Sequence, residues 1–110
     1  DALTIGIAGI MRCRWFFVRK ESKGRGTNQL IEGALLSSGD RCLVVEDAIT
    51  TGGSLLKAVD AVERTGANVV AVATLVDRGE IARPAIEKRG MTYFALATYR
   101  DLEIDPVELI

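Results

Sequence analysis

A parallel α/β sheet flanked by helices is the fold class this chain predicts, and three observations predict it. Two continuous apolar runs, Cys42 to Val45 and Val69 to Val76, have the residue pattern of strands buried on both faces. Between them the period turns helical, with Leu55, Val59 and Val62 on one face and Ala58 beside them. A Pro-led segment from Pro84 to Arg89, stopped by Gly90, then precedes a last apolar run from Tyr93 to Ala97. Strand, helix, strand, helix, strand in that order is the pattern of crossover connections in a Rossmann-like sheet. Right-handed crossovers put the strand ends and their loops on one side. Ligands of such sheets bind outside the carboxyl ends of the strands.

The elements follow in chain order. Leu3 to Ile7 reads as a strand leading into the small residues Gly6, Ala8 and Gly9. Trp15 to Val18 is a second short strand, ended by Arg19-Lys20. Residues 19–29 are polar and hold two glycines, the composition of a mobile loop. Leu30 and Ile31 start another strand, and Ser37-Ser38-Gly39-Asp40 is a turn. The Cys42 run ends at Glu46-Asp47. Ser54 suits the N-cap of the central helix, Asp60 and Arg64 form a favourable i, i+4 pair, and Gly66 suits its stop. Trp15, Phe16 and Phe17 are expected in the core, and Cys13 and Cys42 as buried small hydrophobes. An acidic, weakly patterned tail follows the last strand.

Composition narrows the function. With 110 residues the chain makes one domain, and with aromatics at 5% its core must be built from Val, Ile, Leu and Ala. A net charge of -1 argues against a basic nucleic-acid binder. The absence of histidine excludes His-based triads and His-ligated zinc. Two cysteines are too few for a thiolate zinc site or a disulfide scaffold, which points to a reducing, cytoplasmic setting. No apolar run has membrane-spanning length, and the N-terminus lacks the basic start of a signal peptide. The chain opens on Asp1 rather than Met, as expected of a sequence that begins inside a longer protein.

The chemistry lies in residues 43–54: Leu43-Val44-Val45-Glu46-Asp47-Ala48-Ile49-Thr50-Thr51-Gly52-Gly53-Ser54. This is a strand, two acids, and a Thr/Gly loop running into a helix. Glycines let backbone amides approach an anion, hydroxyls add donors, and the helix N-terminus adds the positive end of a dipole. That half is a phosphate cradle. The two carboxylates would repel phosphate and suit instead hydroxyl groups or a metal on the same ligand. A sugar phosphate satisfies both halves. The plain alternative is a solvated Glu-Asp strand end before a Gly turn. The run is neither a Walker loop, since no Gly-Lys-Ser/Thr follows, nor a Gly-x-Gly-x-x-Gly fingerprint.

This run closely resembles the phosphoribosyl-pyrophosphate (PRPP) motif of type I phosphoribosyltransferases. A second segment, Phe16-Phe17-Val18-Arg19-Lys20-Glu21-Ser22-Lys23-Gly24-Arg25-Gly26 followed by Leu30-Ile31-Glu32-Gly33, resembles the mobile catalytic loop of the orotate phosphoribosyltransferases. That loop reads Arg-Lys-x-x-Lys-x-His-Gly, then a strand with Glu-Gly. Leu75-Val76-Asp77-Arg78 is similar to a Leu-x-Asp-Arg segment that the family carries after the PRPP motif. The resemblance implies transfer of a phosphoribosyl group from PRPP to orotate, giving orotidine 5′-monophosphate and pyrophosphate in pyrimidine synthesis. It implies that Glu46 and Asp47 hold the ribose hydroxyls and that Thr50, Thr51, Gly52, Gly53 and Ser54 wrap the 5′-phosphate, with Ala48 and Ile49 completing the substrate-binding stretch. Arg19, Lys20 and Lys23 would meet the pyrophosphate, the Lys23 loop closing over a neighbouring subunit's site. Arg78 would pair with the orotate carboxylate, which suits a planar bidentate donor. Mg²⁺ would come bound mainly through PRPP, with no protein metal site of its own.

The sequence departs from the family in three places. Arg25 stands where the family loop has His, keeping the charge but unable to shuttle a proton near neutral pH. The family's N-terminal hood over orotate has no counterpart before Asp1. The stretch between Ile7 and Trp15 leaves little room for the family's helix and the loop that leads to it. A natural short form, a fragment and an engineered core all fit these departures. Apolar surface left without its cover predicts a homodimer with shared sites. A core that binds PRPP or a nucleotide without turnover is an alternative function. A purine-type transferase is another, but it leaves the Arg-Lys-x-x-Lys loop and Arg78 without a role.

Overall fold

The computed structural model describes residues 2–19 and 30–103. Its element order is α1 (Ala2–Met11), β1 (Phe16–Val18), β2 (Ile31–Gly33), β3 (Arg41–Ile49), α2 (Gly53–Glu63), β4 (Asn68–Asp77), α3 (Arg83–Lys88) and β5 (Thr92–Thr98). Strands β3, β4 and β5 form a parallel sheet in that order, so β3–α2–β4 and β4–α3–β5 are two successive βαβ units. β1 and β2 pair antiparallel as a separate ribbon.

The expected parallel sheet is present. Its covered face carries Val44, Val72 and Tyr93, buried with Leu55, Val59 and Val62 of α2 and Ile86 of α3. The pairing registers place Leu43, Leu75, Phe94 and Leu96 together on the opposite face, where all four are exposed. Among the described residues no helix is long and apolar enough to cross a membrane.

Four local expectations are corrected. Leu3 to Ile7 is not a strand but part of α1. That segment is apolar on nearly every side, so no amphipathic period marks it as helical, and its β-branched residues mimic a strand. The helix continues past Ile7 and ends at Met11. β3 does not end at Glu46-Asp47 but runs on to Ile49. Ser54 is not the N-cap of α2: Gly52 takes that position in a left-handed conformation, φ 87°. Asp60 pairs with Arg89 at 2.7 Å rather than with Arg64, so it ties α2 to the end of α3.

Cysteine burial is also uneven. Cys42 lies in the core as expected, and burial, reinforced by Asp40, pushes its thiol pKa up. Cys13 is exposed, contrary to expectation. Phe16 packs against the core, whereas Trp15 is exposed and leans on Phe17 with ring centroids 5.0 Å apart. The acidic tail from residue 104 on, and Lys20, Lys23 and Arg25 with the loop around them, lie outside the described residues.

Candidate substrate site

The site forms where the carboxyl ends of the three parallel strands meet. Ile49, Asp77 and Thr98 lie in register across that edge. The ladder continues one step past the strands, with Arg78 N–H donating to the Ile49 carbonyl at 2.8 Å and Tyr99 N–H to the Asp77 carbonyl at 3.0 Å. The loop after β3 and the turn after β4 are thus joined by the backbone itself.

The loop from Thr50 to Ser54 borders a cavity of about 250 Å³ lined by Glu46 and by residues 48–55. Gly52 turns the chain left-handed at φ 87°, a conformation that costs glycine nothing extra. It is buried against Ala82, and an added Cβ would stand 2.7 Å from the Ala82 Cβ. No side chain caps α2. Thr51 Oγ1 accepts from Gly53 N–H at 3.3 Å, and the first helical bond runs from Leu56 N–H to the Gly52 carbonyl at 2.9 Å. The amides of Ser54 and Leu55 therefore precede that bond, as donors at the positive end of the helix dipole. A glycine-shaped loop with open amides at a helix N-terminus can receive a phosphate.

The acids divide. Glu46, half-buried, lines the loop cavity; Asp47 is exposed and does not. Successive residues of a strand point to opposite faces, which explains the split and follows from β3 running on past both acids. Among the described residues no three acidic or thiol side chains gather as a metal cage. The hard oxygen donors nearest the loop are single carboxylates, a set that suits a Mg²⁺ ion bringing most of its ligands with it.

The remaining basic residues differ in freedom. The Arg19 guanidinium is paired with Glu32 across the β1–β2 ribbon. Arg78 is exposed and makes no ion pair among the described residues. The local partners open to it are engaged elsewhere: Glu80 meets Arg100 at 3.4 Å, and Asp77 is buried.

Asp77 has a part the sequence reading did not assign. One carboxyl oxygen accepts from Gly79 N–H at 3.1 Å and Glu80 N–H at 2.7 Å, and the other accepts the Tyr93 hydroxyl at 2.7 Å. Burial first, then the bond and charge of Asp77, push the Tyr93 pKa up, so the phenol stays a donor throughout the physiological range. The sequence signal was present: an Asp at a strand end with Gly two residues on is an Asx-turn pattern.

A second cavity, of about 550 Å³, lies between α1, β1 and β3. Its lining is mainly apolar, including Ile7, Met11, Trp15, Phe16 and Val44, and Glu46 borders it as well as the loop cavity.

Comparison with known proteins agrees with this geometry. The phosphoribosyl transferase domain model matches residues 4–94. The chain is 49% identical over 90 residues to the orotate phosphoribosyltransferase of Mycobacterium tuberculosis H37Rv, covering 82% of this chain and 50% of that protein. The crystal structure of that enzyme in complex with PRPP superposes with a TM-score of 0.69 at 44% identity, over 84% of this chain and 51% of that one. The orotate phosphoribosyltransferase of Aeropyrum pernix gives 0.73 at 31% identity, over 89% of this chain and 54% of that one. The chain spans about half the length of the curated relatives it matches. On the family match, the parallel core and the loop at its edge, the chain belongs to the phosphoribosyl transferase domain family.

Proposed function

We propose that this chain is the core of an orotate phosphoribosyltransferase, working in the cytoplasm in pyrimidine nucleotide synthesis. The observation that carries the reading is the joined edge: the Gly-shaped loop at Thr50 to Ser54 and an Arg78 with no ion pair among the described residues, linked through the Ile49 carbonyl. The 5′-phosphate of PRPP would sit on the loop amides. Glu46 would take a ribose hydroxyl from the cavity side, and Asp47 a hydroxyl presented from its exposed side. Arg78 would hold the orotate carboxylate in a bidentate pair.

An orotate nitrogen forms the new bond to the anomeric carbon as the C–O bond to pyrophosphate breaks. The electron pair of that bond leaves with pyrophosphate, and the nitrogen's proton is released. No protein nucleophile is needed. Charge on the departing pyrophosphate is what the chain must neutralise, and Arg19, Lys20, Lys23 and Arg25 supply cations for it. Bound Mg²⁺, held mainly by PRPP oxygens, adds to that neutralisation. Closure of the Lys23 loop over a neighbouring subunit would exclude water that otherwise hydrolyses PRPP, so the proposal includes a homodimer.

The test is PRPP-dependent consumption of orotate with Mg²⁺, run beside Lys23→Ala. Turnover is expected in the parent chain and lost in the variant, while a PRPP titration stays nearly unchanged. Retained PRPP binding with no orotate consumption by either protein would leave a binding core in place of an enzyme.

A further inference from the structure

The turn that presents Arg78 is held from three directions. Its N–H is fixed to Ile49, the residue before the phosphate loop. The two amides that follow it are gathered by one oxygen of Asp77. The other oxygen of Asp77 is anchored to Tyr93 on the neighbouring strand β5. Tyr93 is itself held from outside, with the Arg83 guanidinium 4.7 Å above its ring centroid. Asp77 and Tyr93 are both buried, whereas Arg78 is exposed.

A buried carboxyl group that gathers two turn amides fixes the backbone of the turn. Anchoring that carboxyl to a phenol on a different strand fixes it relative to the sheet. A long, flexible arginine gains selectivity only when its base is held still, because otherwise each bidentate contact must first order the turn beneath it.

We propose that Asp77 and Tyr93 are positioning residues that set the discrimination Arg78 makes for a carboxylated base over an uncarboxylated one. The proposal rests on the orotate reading of Arg78. Neither residue touches the ligand; both act through the turn of residues 78–80.

The test measures binding of three ligands to the whole chain by calorimetric titration. Orotidine 5′-monophosphate carries the carboxylate, uridine 5′-monophosphate lacks only that group, and ribose 5-phosphate lacks the base. The parent chain is expected to prefer the first nucleotide, and Arg78→Ala to bind the two about equally. Tyr93→Phe keeps the ring and its packing but removes the donor. It should lower the preference several-fold, to a value between those two, with ribose 5-phosphate affinity unchanged. Asp77→Asn keeps an oxygen for the Gly79 and Glu80 amides and an amide group for the Tyr93 oxygen, so it should retain most of the preference, and Asp77→Ala should lose it.

The outcomes separate cleanly. A parent-like preference in Tyr93→Phe, beside a lost preference in Arg78→Ala, overturns the positioning role and leaves the orotate reading intact. Equal weakening of all three ligands in Tyr93→Phe overturns it too, by showing a merely structural role. Equal binding of the two nucleotides by the parent chain overturns the assignment of Arg78 and the proposal with it.

Discussion

At Gly52 the backbone conformation and the packing make the same demand. Its φ of 87° is one that L side chains rarely adopt, and the space where a Cβ would stand is taken by Ala82. Gly52→Ala therefore meets backbone strain and a clash together. It should cost about 1–3 kcal/mol of stability, read as a lower thermal midpoint, and should weaken ribose 5-phosphate binding. A variant as stable as the parent would mean that the loop reshapes freely. The glycine was legible in the sequence as part of a Thr/Gly loop running into a helix. Its capping position was not, because Ser54 offers a better N-cap side chain by type, and only the left-handed turn at Gly52 shows that the helix starts one residue before Ser54. Asp77 shows a similar limit: sequence marks it as a turn former, but its partner Tyr93 is sixteen residues away and brought near only by strand pairing.

Among the elements, α3 depends on a single buried side chain. It spans Arg83–Lys88, and Ile86 is its buried residue. Six residues are too few to be helical on propensity alone, so packing holds them. Ile86→Ala should cost about 2–5 kcal/mol in a denaturant titration; a loss below 1 kcal/mol would show that the neighbouring side chains refill the space. Legibility of the elements followed the strength of their patterns. α2, β4, α3 and β5 could be read because apolar period and glycine stops agree there. α1 could not, since Leu3, Ile5, Ile7 and Ile10 leave no polar face to define a period. The end of β3 was missed because two acids look like a strand terminus, yet backbone pairing to β4 carries the strand past them, with Ala48 opposite Val76.

For the molecule as a whole, among the described residues the sheet has one covered face and one bare one. Leu43, Leu75, Phe94 and Leu96 leave apolar surface in water on the bare side, and burying such a patch against a second copy is favourable at roughly 25 cal/mol per Å². Sedimentation should therefore show a mass that rises with concentration toward a dimer. A monomer at every concentration would remove the shared-site part of the proposed function. The family resemblance was legible because its motifs are contiguous in sequence, while the bare face emerged only from strand order.

The bond from Arg78 N–H to the Ile49 carbonyl has a metrical consequence. It makes the rim of the sheet a ruler, with the loop proposed to seat the phosphate at one mark and the guanidinium root at the other. A ligand whose two charged ends match that spacing engages both without stretching the protein.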